Sequence, residues 1–278
     1  MTRAIPSVFR ATEGFAMISK LLLRGMLVGV FAGLLAFGVV RTIAEPQIDQ
    51  AIAFEESHEA LAALTVQSGH DHGAQAQASE HERGGEITRA TQAGIGALIG
   101  TTVFGAAIGG LFSLAFCFLY GRFGSVDPRK LSAGLAFACF VALVALPSLK
   151  YPANPPAIGN ADTIGERTVL FFALLLISVV AMAAVTQIVR RLAQLIDGWN
   201  AGLVGVLAYV VVMALVLVLL PTVNEVPHDF SADLLWHFRL ASIGTQATLW
   251  ATVGVLFGLV AERSLRPKQH ASLPLYGG

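Results

Sequence analysis

Charge is what this sequence has least of. Asp, Glu, Lys and Arg make up 13% of its 278 residues, about half the share of an average soluble domain. That is too little to coat a globule in water, and it argues against a soluble enzyme, a nucleic-acid binder or a disordered chain. Cysteine is nearly missing: Cys117 and Cys139 both sit in apolar runs, so no disulfide framework or cysteine-based zinc site is encoded. HExxH, paired CxxC and GxxxxGK[ST] motifs are all absent, so neither a metalloprotease nor ATP hydrolysis by this chain is indicated. What fills the space is apolar: 55% of the residues are hydrophobic, and the mean hydropathy is +0.69. The composition is that of an all-α, polytopic integral membrane bundle.

A span needs about 20 mostly apolar residues. Six stretches qualify, at 21–40, 95–120, 131–149, 168–189, 201–220 and 241–261. Arg24 lies early enough in the first to snorkel to the interface. Pro147 is expected to shorten the third, and without it the count would be five. A cleavable signal peptide at 21–40 is the competing reading for the first run, but the run exceeds the usual 7–15-residue core of such peptides. Initiation at Met17 would lose no span. Glycines recur at four-residue intervals: Gly25/Gly29/Gly33, Gly96/Gly100, Gly105/Gly109 and Gly254/Gly258. Such spacing lets helix backbones approach closely in lipid.

The formal net charge of zero hides a segregation. Residues 1–20, the 121–130 and 190–200 loops and the tail at 263–278, with Arg24 and Glu262 at the span ends beside them, carry 12 Lys and Arg against four carboxylates. The opposite side holds six cations and 14 carboxylates. The positive-inside rule then places both termini in the cytoplasm. The organisation is a short N-terminal extension (1–20), a transmembrane bundle (21–262) with a long external loop at 41–89, and a cytoplasmic tail.

Six of the seven histidines fall on the acidic, external side. An anionic surface concentrates cations, and imidazole with carboxylate is a ligand set for divalent transition metals. In the first loop, Pro46 opens a helical stretch on which Glu55, His58 and Glu59 share a face. Beyond it, His70-Asp71-His72 and His81 between Glu80 and Glu82 repeat the same chemistry. His58, His70, Asp71, His72 and His81 are therefore candidates for metal capture, against the plainer reading of a solvated linker. Near the span ends, Glu45, Asn224, Glu225 and His228 lie beside Pro46, Pro221 and Pro227. Helix breaks there would free carbonyls to join side-chain ligands at a pathway mouth. Ordinary interfacial polar residues are the alternative. Between them, Pro152, Pro155 and Pro156 impose a stiff, extended second loop.

Five segments carry a family resemblance: Leu23-Arg-Gly-Met-Leu-Val-Gly, Glu45-Pro-Gln-Ile-Asp-Gln-Ala-Ile-Ala-Phe-Glu-Glu, Lys150-Tyr-Pro-Ala-Asn-Pro-Pro, Pro221-Thr-Val-Asn-Glu-Val-Pro and Leu234-Leu-Trp-His-Phe-Arg-Leu-Ala-Ser-Ile-Gly-Thr-Gln. From about residue 21 to about residue 263, the chain resembles the CbtA family of probable cobalt transporter subunits. The resemblance implies a bacterial inner-membrane permease subunit that imports cobalt for cobalamin biosynthesis. It also implies a small, single-span, His-rich partner subunit (CbtB-like). No resident cofactor is expected, the divalent metal being cargo, and neither is an enzymatic activity. A metal-binding scaffold or sensor, or a membrane enzyme using the external His and carboxylate groups, is the alternative from the residues alone.

Overall fold

The computed structural model describes residues 7–68, 88–122 and 126–265. Six helices in it are long and apolar enough to cross a membrane: α1 (Met17–Leu61), α2 (Arg89–Leu119), α3 (Pro128–Lys150), α4 (Ile164–Leu192), α5 (Gly198–Leu219) and α6 (Ala232–Leu265). Their outward faces carry Leu27, Phe31, Val103, Leu111, Phe118, Phe172, Leu176, Val206 and Leu215, all exposed. Bare to water, such a surface would aggregate; against acyl chains it is the matched one.

Neither intrahelical proline breaks its helix, contrary to the expectation for Pro46 and Pro147. Each is preceded by one wide π-turn, Val40–Ala44 in α1 and Val141–Ala145 in α3. A proline lacks the N–H that would bond backwards, and its ring crowds the preceding turn. Shifting the ladder by one residue, with Glu45 N–H bonding to Val40 O and Leu146 N–H to Val141 O, absorbs that crowding. In α3 the Ala142 carbonyl lies five residues before Pro147, where a π-register donor is missing. Ser178 Oγ of α4 fills the gap, donating to Ala142 O at 2.8 Å. Ser178 is buried and lies 2.8 Å from the Tyr209 hydroxyl of α5. One hydrogen-bond chain therefore ties α3, α4 and α5 together.

The densest packing lies elsewhere. Gly25, Gly29 and Gly33 of α1 face Gly105 and Gly109 of α2 so closely that a Cβ on any of the five would collide with backbone of the other helix. Helix α6 lies against this pair. Its Phe257 meets Phe112 and Phe116 of α2 edge-on, at centroid distances of 5.5 and 5.2 Å. On a neighbouring face of α6, Gly254 and Gly258 receive α3, where Ser132 Oγ donates to Gly254 O at 2.7 Å. Gly100, by contrast, has open space at its Cβ position, so not every glycine pair marks a seam. The layers run α2–α1–α6–α3, with α4 and α5 joined to the α3 edge through a smaller cluster of Leu174, Tyr209 and Met213.

The two ends of the bundle differ as the loops do. At one end Arg24 donates to Ser264 Oγ and Arg129 pairs with Glu262. The other end holds the acidic segments described next.

Candidate functional site

Two structures crown the acidic end. In the first, α1 continues past its π-turn and docks on the start of α6, burying Ala51 against Phe230 and Leu234. Arg89, at the start of α2, reaches Glu45 Oε2 at 2.5 Å and Asp49 Oδ1 at 2.9 Å. Glu45 is 4% exposed. Burial of that kind is tolerable for a carboxylate because the guanidinium is there. His58 Nε2 lies 2.5 Å from Asp229 Oδ2, and its ring packs on Phe54 at 4.2 Å. The Asp229 carboxyl is held below the usual range, first by its own backbone N–H and then by His58. Salt and hydrogen bonds thus latch the first loop to the third.

The second structure is a cavity of about 780 Å³ bounded by α2, α3, α4, α6 and the segments at 151–158 and 223–226. It follows α6 from Arg239 to Trp250, which is about 16 Å of helix and so roughly half of a 30 Å hydrocarbon core. Asn154, Arg167, Asn224, Glu225 and Arg239 contribute polar groups near the acidic end, and Ser242 and Gln246 further down. Phe104, Ile108, Leu143 and Phe171 are apolar parts of the wall. Leu143 and Val144 belong to the α3 π-turn, so the irregularity that admits Pro147 also shapes this wall.

Glu225 organises the rim. Its carboxylate accepts the Asn160 N–H at 2.8 Å and the Thr163 hydroxyl, and Arg167 Nη1 lies 3.2 Å away. The Thr163 bond leads the causes that keep its pKa below the ordinary value, followed by the Asn160 N–H and, more weakly, the Arg167 charge. Gly159 makes room for that arginine. It sits at φ +137°, where an L side chain is strained, and a Cβ there would stand 2.8 Å from the guanidinium. Also lining the cavity, Arg239 of α6 donates from Nη2 to Asn154 Oδ1 at 3.0 Å. Tyr151 donates to Pro221 O at 2.8 Å; burial, with a smaller push from Glu166, raises its pKa, so the phenol stays protonated in that bond.

The nine candidate residues therefore divide. Asn224 and Glu225 share the cavity. Glu45 does not line it and is committed to Arg89, while His228 is exposed on the turn after Pro227. His58 is held by Asp229. His70, Asp71, His72 and His81 lie outside the described residues. Among the described residues, no three His, Cys, Asp or Glu side chains are placed to hold one metal ion, so Glu55, His58 and Glu59 share a helix face without forming a site. Sequence reasoning passed over Arg89, Asn154, Arg167 and Gln246. The signal for Asn154 and Gln246 was present in the unusual Lys150 and Leu234 segments, whose polar residues converge on this cavity. Arg167 carries no such signal, since nothing in its local sequence sets it apart.

A family model described as probable cobalt transporter subunit (CbtA) matches residues 18–262, and the chain belongs to that family. No curated protein and no solved structure matches it. It is thus a multi-pass membrane protein of a transporter-subunit family, and membership of such a family implies a partner.

Proposed function

We propose that this member of the cobalt transporter subunit family imports a divalent metal, with cobalt for cobalamin biosynthesis as its cargo, across a bacterial inner membrane. The supporting observation is the cavity. A polar-rimmed recess that reaches about halfway into the bundle, at the carboxylate-rich end, is what half of a permeation route requires, because irregular backbone at membrane depth survives where it lines a cavity. The charge segregation puts that end outside and both termini in the cytoplasm. A small single-span subunit with a His-rich segment would complete the assembly. His70, Asp71, His72 and His81 would act upstream, raising the local metal concentration rather than forming the selective site, since a preorganised site is hard to hold on a long loop.

Uptake of labelled cobalt in cells lacking other importers tests this. Expression of the chain with its partner should raise accumulation, and deleting residues 68–82 should weaken uptake at low cobalt while sparing it at high cobalt. A chain that binds metal without raising accumulation would instead be a scaffold or sensor.

A further inference from the structure

Among the described residues, Arg239 is paired with no carboxylate. Among the described residues its guanidinium contacts Asn154 through Nη2, and its Nε is buried without a partner. Arg167, which also lines the cavity, has the same defect at Nε, although its Nη1 pairs with Glu225 and its Nη2 reaches Asn160 O at 3.4 Å. A guanidinium carries five N–H donors and cannot give up its proton; with each Nε closed off by protein, the donors either arginine offers to the cavity it lines are those on its Nη nitrogens. Glu225 is engaged by Asn160, Thr163 and Arg167, and among the described residues it makes no ion pair with Arg239. Among the described residues, Arg167, Arg239 and Glu225 are the charged side chains that line the cavity, two cations against one anion.

We infer that this cavity binds a small polycarboxylate anion, gripped between Arg167 and Arg239. Guanidinium edges match carboxylates two bonds at a time. They come from two different helices, α4 and α6, which suits a ligand bearing two separated carboxylates better than a single compact phosphate. Asn154, Asn224, Ser242 and Gln246 supply neutral donors and acceptors for the remaining oxygens, and the apolar wall accommodates a carbon skeleton. The volume is within the range of ordinary small-molecule sites. One consequence rests on the import reading: a metal entering here travels as its carboxylate chelate, whose charge the arginines favour, rather than as the naked ion.

The test is calorimetric titration of the purified full-length protein in detergent, with citrate, inorganic phosphate and cobalt chloride as separate titrants. Citrate should bind saturably, and Arg239→Gln should weaken it about tenfold or more, with Arg239→Lys falling between because it keeps the charge and loses the fork. Should Arg239→Gln fail to elute as wild type, Asn154→Ala reads the same contact from its other side and should also weaken citrate binding. The inference is overturned by absence of saturable citrate binding, by unchanged affinity in a well-folded Arg239→Gln, or by phosphate binding as tightly as citrate. Failure of the import reading looks different: cells would accumulate no labelled cobalt while the purified protein still bound citrate.

Discussion

The α1–α2 seam and the α3–α4 wall are made of opposite materials. Along the seam, five glycines bring two backbones into contact, so that a Cβ on any of them would collide with backbone of the facing helix. Along the wall, the α3 π-turn gives Leu143 and Val144 to a cavity and is tied to α4 by Ser178, which donates to Ala142 O and also meets the Tyr209 hydroxyl of α5. In lipid there is little hydrophobic drive for helices to associate, so each half must find cohesion another way: close dispersion contact in one, hydrogen bonds in the other. The difference separates a part built to stay still from a part with room for a ligand.

The largest effect is expected at the seam. Gly29→Leu or Gly105→Leu places a side chain where backbone already stands and should remove most of the folded, monodisperse protein in fluorescence-detected size-exclusion. Gly100→Leu, which meets open space, should leave it intact. Equal tolerance of both would erase the contrast between the two halves.

A smaller effect belongs to the wall. Ser178→Ala leaves the Ala142 carbonyl and the Tyr209 hydroxyl without each other's bridge, and should cost about 1 kcal/mol, read as a melting temperature lowered by a few degrees with the oligomeric state unchanged. An unaltered melting curve would show that α4 and α5 are held to α3 by apolar contact alone.

The smallest effect is a pH dependence at the rim. The Glu225 carboxyl is held below its ordinary pKa, so its contribution to stability is present above that ordinary value and lost as pH falls through the lowered one. The melting difference between wild type and Glu225→Gln should therefore be present at neutral pH and shrink toward zero below the usual carboxylate range. A difference that grew on acidification would reverse the assignment of Glu225 as an ionised hydrogen-bond acceptor.

Reading the sequence reached the helical class and the six apolar runs because length and hydropathy decide those locally. It went wrong at Pro46 and Pro147 for a physical reason: whether a proline ends a helix depends on who satisfies the freed carbonyl, and for Ala142 that partner is 36 residues away. The candidate site was legible in part. Asn224 and Glu225 announced themselves as polar residues in a proline-bounded turn, but their partners Asn160, Thr163 and Arg167 become neighbours only once α4 packs beside the turn. Glu45 carried the same local signal, and the fold gave it to Arg89 instead.

The central claim is that the cavity beside α3 and α4 is the route of the cargo. Gln246 lines it on α6, about 10 Å of helix beyond Arg239. In a chain with Cys117→Ser and Cys139→Ser, Gln246→Cys should react with a bulky, membrane-impermeant thiol reagent applied from outside, and labelled-cobalt uptake should then fall in proportion to the fraction modified. Full modification with uptake unchanged, or no reaction from outside in a variant that still transports, would contradict it.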